Sequence, residues 1–344
     1  MIEVKKEGIL LSATNLEFEN EGVLNPAVIR DGDCIHVFYR AVRQGNYSTI
    51  GYCKLDGPLT VSERWQKPFM IPELPYESHG IEDPRIVLID DTYYMTYTAY
   101  DGTNALGALA TSKNLKKFTR QGIIVPPITY AEFVYLAESA GKVNENYYRN
   151  HKFYYQEADP EKKMLLWDKN VIFFPRRING NLTFLHRIRP GIQLVSVKEL
   201  SDLTPEFWKE YFFNLQDHIV LDPLHNHEEA YIGGGCPPIE TEHGWLLIYH
   251  GVQETSKGLV YSACAAALLD INNPKKEIAR LPYALFTPEF AWELKGEVNN
   301  VVFPTGTALF GDTLFIYYGA ADSHIAVASV SISALINELL TCKV

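Results

Sequence analysis

A short unit of sequence recurs five times along the chain and constrains the fold more than any other feature. Each unit has a proline beside a run of β-prone residues, a turn often of the Asp-Gly type, and a second run ending in tyrosine or histidine. A third run of small and apolar residues follows each pair. The copies are NPAVIRDGDCIHVFYRA, EDPRIVLIDDTYYMTYTAY, FPRRINGNLTFLHRI, PPIETEHGWLLIYHGV and FPTGTALFGDTLFIYYGAAD.

Five up-and-down β units that cannot each bury both faces are expected to pack around one axis. The sequence therefore predicts an all-β fold, a five-bladed β-propeller with a few peripheral helices, and an irregular β-sandwich is the alternative. The innermost strands of the blades are expected to contain Pro26, Pro84, Pro175, Pro238 and Pro304.

Residues 1–344 are predicted to form a single propeller domain with an inserted segment at about 131–167. This aromatic-rich segment is a candidate contact in a homo-oligomer or a candidate wall of a substrate site. SDLTPEFWKEYFF and SALINELL are predicted to form short helices, the first with Thr or Asp as a plausible cap.

Charge and composition limit the partners. The 31 Lys and Arg against 42 Asp and Glu give a formal net charge of −11, which argues against nucleic acid or an anionic membrane. No apolar run is long enough for a leader or a membrane span. We therefore expect a cytoplasmic protein, or a periplasmic one if a leader has been removed. Five cysteines without CxxC spacing are expected to be reduced, with no metal site: Cys34, Cys53, Cys236, Cys264 and Cys342.

The innermost strands of a propeller line a central channel, so the proline ends of the copies are expected to converge. Asp83, with Glu82 and Arg85, would then face groups from other blades. The expected neighbours are Asn25, Lys169–Asn170 and the ends of the second strands, Tyr39–Arg40, Tyr97, His186–Arg187, Tyr249–His250 and Tyr317–Tyr318. An acid among bases and aromatics indicates a site for a polar ligand. The alternative is a salt bridge satisfied within EDPR itself.

LHNHEEAY offers a second, weaker signal. His225, His227, Glu228 and Glu229 have side chains that can bind a metal. A histidine-bearing loop is the commoner interpretation of such a segment.

Several ordered motifs resemble those of glycoside hydrolase family 130, which contains β-mannoside phosphorylases and β-mannosidases. They are GIEDPRI, KNVIFFPRRINGNLTFLHR, IGGGCPPIETEHGWLLIYHGV, AAALLD, VVFPTG and IYYGAAD, and together they cover nearly the whole chain. The family fold is a five-bladed β-propeller, the number that the repeats indicate independently. The resemblance implies an enzyme that cleaves β-linked mannosides with inversion.

The resemblance also implies roles for single residues. Asp83 falls on the family's general acid, with Glu82 and Arg85 as neighbours that set its orientation and pKa. The mannose at the cleaved end would be held by Asn25, Arg40 and Asp322. The phosphate site would comprise Lys169, Asn170, Arg187, His250 and Tyr261. No cofactor is expected, because inorganic phosphate is the co-substrate of a phosphorylase.

One departure from the family pattern bears on the reaction. Phosphorylases of the family carry a lysine where this chain has Tyr231, and Glu228 and Glu229 lie just upstream. An inverting hydrolase needs a second carboxylate to activate water, whereas a phosphorylase needs cations and donors to hold a dianion.

Bases outnumber acids among the residues expected opposite Asp83, so phosphorolysis to α-mannose 1-phosphate is the favoured prediction. Hydrolysis with Glu228 or Glu229 as the base is the alternative. A non-catalytic glycan-binding propeller and an interaction scaffold account for fewer of these residues.

Overall fold

The structure, a computed structural model, describes residues 2–140, 143–148, 164–255 and 258–343, with the backbone alone for residues 140, 255 and 258–264. Four-stranded antiparallel units follow one another along the chain. Blade I contains β2 (Gly22–Asp31), β3 (Cys34–Arg43), β4 (Tyr47–Asp56) and β5 (Thr60–Arg64). Blade II contains β6 (Gly80–Ile89), β7 (Thr92–Tyr100), β8 (Ala105–Ser112) and β9 (Thr119–Ile123).

Blade III contains β10 (Lys169–Phe173), β11 (Leu182–Arg187), β12 (Ile192–Val197) and β13 (Ile219–Leu221). Blade IV has its inner strand in two pieces, β14 (Tyr231–Gly234) and β15 (Ile239–Thr241), followed by β16 (Gly244–Thr255), β17 (Gly258–Leu269) and β18 (Glu277–Arg280). Blade V contains β19 (Val302–Phe310), β20 (Thr313–Ala320) and β21 (His324–Ser331). Its fourth strand is the N-terminal β1 (Lys5–Ser12), which pairs with β21.

Five hydrophobic cores lie between successive blades and show that the ring closes. Ile86 and Met95 of blade II pack with Phe38 of blade I, and comparable cores join blades II and III, III and IV, and IV and V. The fifth core joins blade V to blade I through Val327 and Val37. Closure leaves each blade with a neighbour on both faces, so the predicted five-bladed propeller is confirmed.

Both predicted helices form, and both lie outside the ring of strands. Helix α2 (Pro205–Phe213) is capped by the Thr204 hydroxyl, which accepts from the Phe207 N–H, and α4 (Ile332–Thr341) is capped by Ser331 in the same way. Helix α1 (Tyr130–Ala140), at the start of the predicted insert, packs Phe133 against Phe212. The rest of the insert lies partly outside the described residues. A short helix, α3 (Ala291–Leu294), precedes blade V, and no described helix is long and apolar enough to cross a bilayer.

The predicted proline positions hold for three blades and fail for two. Pro26, Pro84 and Pro304 lie in β2, β6 and β19, but Pro175 follows the end of β10 and Pro238 lies between β14 and β15. The Phe174 N–H still donates to the Thr183 carbonyl. Pro175 has no N–H to continue the ladder, so the strand ends there.

A buried glutamate links the second and fourth strands in four of the blades. Each glutamate is fully buried, accepts a hydrogen bond from a second-strand tyrosine and pairs with a cation on the fourth strand. We call each set a blade lock. The sets are Glu19–Tyr39–Arg64, Glu77–Tyr97–Arg120, Glu228–Tyr249–Arg280 and Glu293–Tyr318–Lys6.

In blade III, His186 takes the tyrosine's position. It hydrogen-bonds Asp168 at 2.8 Å through Nδ1 and Tyr211 of α2 at 2.7 Å through Nε2. The expectation that Tyr39, Tyr97, His186, Tyr249 and Tyr318 face the channel was therefore wrong. Their polar atoms bind groups within the blades, because a buried hydroxyl or imidazole needs a partner.

Candidate active site

The inner strands bring polar side chains to the axis through one repeated distortion. Asn25, Asp83 and Asn170 each lie at a β-bulge, with φ of 50°, 49° and 55°. Asn and Asp tolerate this left-handed region better than other side chains, and a bulge re-aims the side chain it carries. All three line a single cavity of about 180 Å³ at the centre of the ring.

Seven of the residues predicted for the site line this cavity: Asn25, Arg40, Asp83, Lys169, Asn170, Arg187 and Asp322. Tyr231 lines it as well, and so does Arg189, which the sequence did not single out. Gly233 lets the side chains of His250 and Asn170 lie close to the backbone of β14, because a Cβ there would lie 2.5 Å from the His250 ring and 2.7 Å from Asn170 Nδ2. The convergence of blades predicted from the repeats is therefore present.

Asp83 is held in place by groups from blade I. Its Oδ1 accepts a hydrogen bond from Asn25 Nδ2 at 2.7 Å and lies 3.6 Å from Arg40 Nη1. Burial would raise the pKa of Asp83, but the charge of Arg40, the Asn25 hydrogen bond and the charge of Lys169 outweigh it and hold that pKa below its ordinary value. These neighbours therefore favour the ionised form of Asp83.

Glu82 and Arg85 flank Asp83 without lining the cavity. Glu82 pairs with Arg40 at 2.9 Å and lies 3.8 Å from Lys169. Arg85 donates from Nε to the Gly235 carbonyl at 2.5 Å and from Nη1 to the carbonyls of Asp83 and Pro84 at 3.0 Å each. Arg85 thus braces the bulge that carries Asp83 and ties blade II to blade IV.

Four buried polar atoms around the axis have no hydrogen-bond partner within the described ranges. They are Asn25 Oδ1, Arg85 Nη2, Asn170 Nδ2 and His250 Nδ1. An unmade hydrogen bond to a buried group costs about 1–3 kcal/mol. Such groups gathered at one place indicate that a polar ligand completes the site.

The pKa values of His250 and Asp322 are shifted in ways that the sequence did not predict. Burial and the nearby charges of Arg187, Arg85 and Arg189 lower the pKa of His250 well below its ordinary value, so this ring is neutral rather than a cation. Burial raises the pKa of Asp322 to about 6, although Arg40 opposes the shift. The cations that line the cavity are therefore lysine and arginine side chains.

Two predicted residues, Glu228 and Glu229, do not join this site. Glu228 belongs to the blade lock of blade IV, where its carboxylate also accepts the N–H groups of Leu224 and His225, and Glu229 is exposed. Neither lines the cavity, so the geometry gives no support to a base role for them. The side chain of Tyr261 lies outside the described residues.

The loop that was weighed as a metal site does not form one. The rings of His225 and His227 stack 5.7 Å apart, and Glu228 is already paired with Arg280. Within the parts of the chain that the structure describes, no group of three or more His, Cys, Asp or Glu is arranged to hold a metal ion.

A propeller whose axis brings Asp83 together with lysine and arginine side chains has the charges expected of a glycoside phosphorylase, and the comparisons with known proteins support this class. The model of the β-1,4-mannooligosaccharide phosphorylase family matches residues 10–340. The chain belongs to that family, glycoside hydrolase family 130, as the sequence motifs indicated.

Relatives of known activity match along nearly their whole length. A 1,2-β-oligomannan phosphorylase of Thermoanaerobacter is 34% identical over 343 residues, which cover 95% of this chain and 97% of that protein. A β-1,2-mannobiose phosphorylase of the same organism is 32% identical over 346 residues, covering 96% and 97%.

A solved structure supports the fold. The β-1,2-mannobiose phosphorylase of Listeria innocua, solved with β-1,2-mannobiose, aligns with a TM-score of 0.72 at 22% identity and covers 99% of this chain and 100% of that one.

Proposed function

We propose that the protein catalyses inverting phosphorolysis of a β-linked mannoside. A phosphate oxygen attacks the anomeric carbon, the bond from that carbon to the leaving oxygen breaks, and the proton of Asp83 goes to the leaving sugar. The products are α-mannose 1-phosphate and a sugar shortened by one unit. A general acid typically contributes ~10²–10⁴-fold to such a step.

The distribution of charge around the cavity carries this proposal. The carboxylates that line it, Asp83 and Asp322, both interact with Arg40, and the rest of the wall offers Lys169, Arg187 and Arg189. A dianion placed among these cations gains charge-assisted hydrogen bonds. The amide of Asn170, whose Nδ2 has no partner among the described residues, adds a neutral polar group to this wall.

Asp83 needs a proton to act as an acid, and phosphate supplies the condition for one. The charges of Arg40 and Lys169 favour the ionised carboxylate. A phosphate dianion bound at Lys169 offsets that positive charge and favours the protonated form of Asp83. Phosphate is therefore both the nucleophile and the group that prepares the acid.

We also propose a β-1,2-linked manno-oligosaccharide as the substrate. The relatives that match over nearly their whole length are phosphorylases of β-1,2-linked mannosides. A β-1,4-mannooligosaccharide phosphorylase of Ruminococcus albus is equally similar, at 34%, but over only 181 residues.

The test follows both sugar products with and without phosphate. β-1,2-Mannobiose, β-1,2-mannotriose and β-1,4-mannobiose are incubated with the purified protein. We expect mannose 1-phosphate only when phosphate is present, and faster from the β-1,2-linked sugars. Free mannose released at the same rate without phosphate would refute phosphorolysis, and faster cleavage of β-1,4-mannobiose would refute the linkage alone.

A further inference from the structure

The ring of Tyr231 is placed between two arginines. This tyrosine lies in β14, is 5% exposed and lines the cavity. The guanidinium carbon of Arg189 is 3.9 Å from the centre of its ring, and that of Arg187 is 5.4 Å away. Both distances fall within the ~6 Å over which a cation is attracted to an aromatic face.

The backbone holds Arg189 in this position. Arg189 follows the last residue of β11 by two positions, and the carbonyl of the next residue, Pro190, accepts a hydrogen bond from the Ile232 N–H at 2.9 Å. That bond fixes the connection between β11 and β12 beside the residue that follows Tyr231. The stacking of Arg189 on the ring is therefore built into the contact between blades III and IV.

We propose that Arg189 supplies a phosphate-binding cation in this cavity, and that the ring of Tyr231 positions Arg187 and Arg189 side by side to do so. This inference rests on the proposed phosphorolysis. Arg189 contacts phosphate directly in this scheme, whereas Tyr231 acts through the two arginines.

One observation and one electrostatic argument agree with this placement. The charge of Arg189 acts on His250, together with those of Arg187 and Arg85, so all three guanidinium groups lie near one ring at the axis. A lysine at position 231 would place a further positive charge between Arg187 and Arg189, and the repulsion would weaken the cluster. The neutral ring of Tyr231 leaves the two arginines as the cations of the cluster and avoids that repulsion.

The test separates phosphate binding from mannoside binding. Arg189→Gln is expected to raise the KM for phosphate at least about tenfold, because one charge-assisted contact is lost, and to change the KM for the mannoside less than twofold. Arg189→Lys keeps the charge and should show a smaller rise. The matched control is Arg176→Gln, which removes an arginine that stacks on Trp245 at 4.8 Å, outside the cavity, and which should leave both KM values unchanged.

Substitutions at position 231 test whether the aromatic ring positions the arginines. Tyr231→Leu should raise the KM for phosphate, and Tyr231→Phe, which keeps the ring, should raise it much less. Tyr231→Lys should recover phosphate binding when combined with Arg189→Gln, because the double variant restores the number of cations. Melting temperatures with and without phosphate show whether each variant folds and binds.

Each outcome bears on a different claim. If wild type forms no mannose 1-phosphate, the proposed function fails before this inference is reached. If wild type is a phosphorylase but Arg189→Gln leaves the KM for phosphate unchanged, the role of Arg189 is refuted. If Tyr231→Phe is as impaired as Tyr231→Leu, the ring does not position the arginines.

Discussion

Glu228 is the residue at which the structure and the hydrolase alternative make opposite predictions. In the structure its carboxylate is fully buried, pairs with Arg280 at 3.1 Å and accepts the hydroxyl of Tyr249. Two backbone N–H groups also donate to it, from Leu224 at 2.8 Å and His225 at 3.1 Å. These partners belong to blade IV and to the segment that leads into it, away from the cavity.

Glu228→Gln preserves the shape of the side chain and removes its charge. Breaking a buried ion pair typically costs ~3–5 kcal/mol. We expect the lower end, about 3 kcal/mol, because Arg280 keeps two contacts to Glu277, at 2.5 and 2.8 Å. With an unfolding entropy of ~2.1 cal/mol/K per residue, a chain of this length should melt about 4 °C lower.

The assay combines calorimetric melting with initial rates in phosphate at a temperature where both proteins are folded. Glu228→Gln should lose stability and keep its rate, and Glu77→Gln, which breaks the equivalent blade lock of blade II, should lose a similar amount. Glu229→Gln, at the exposed neighbour, is the control and should melt like wild type. A Glu228→Gln protein of unchanged stability that no longer cleaves mannosides would refute the structural role and restore the base.

Three further predictions concern the cavity. Asp83→Asn should slow cleavage of natural β-mannosides by ~10²–10⁴-fold with an unchanged circular dichroism spectrum, and near-normal turnover would show that Asp83 is not the acid. Lys169→Ala should raise the KM for phosphate far more than that for the mannoside, and equal increases would contradict its place in the phosphate site. Because burial raises the pKa of Asp322 from 3.8 to about 6, the stability it contributes is present below its unfolded pKa and is lost as the pH rises through about 6. Between pH 3.8 and about 6, the free energy of unfolding of wild type, measured with urea, should therefore fall by on the order of 3 kcal/mol relative to that of Asp322→Asn. Parallel pH dependences of the two unfolding free energies would contradict the shift.

The strands that the sequence predicted and those it missed differ in burial. First, second and third strands carry strong apolar runs, and the third strands include β8 and β21, which are almost wholly buried. The fourth strands β5 and β9 are short and contain no buried residue, so no alternation marks them. Their pairing comes from the neighbouring strand, which a local pattern cannot reveal.

The site was predictable where the chemistry is local, and less so where it depends on packing. The EDPR motif indicated Asp83, and the repeats predicted that Lys169 and Arg187 lie close to it. Arg189 lies beyond the end of a strand, in no recurring pattern, and only its position on Tyr231 marks it. The neutral state of His250 follows from burial among guanidinium groups, which no sequence spacing reports.

The blade locks have a recurring spacing in the sequence. In the four blades the glutamate precedes its tyrosine by 20, 20, 21 and 25 residues. That spacing, recurring with the repeat, distinguishes Glu228 from a catalytic base. Without that spacing, a glutamate only three residues before position 231 resembles a catalytic base.

The use of β1 as the last strand of blade V has a kinetic consequence. The locks of blades II and IV join an arginine to a glutamate 43 and 52 residues away, but Lys6 and Glu293 are 287 residues apart. Bringing the more distant pair together costs about 1.5 kcal/mol more in loop-closure entropy than the nearer ones. Long-range contacts of this kind slow folding. A chain emerging from the ribosome can assemble its first four blades in order, but Glu293 reaches its cation only when the earliest and latest segments to be synthesised come together.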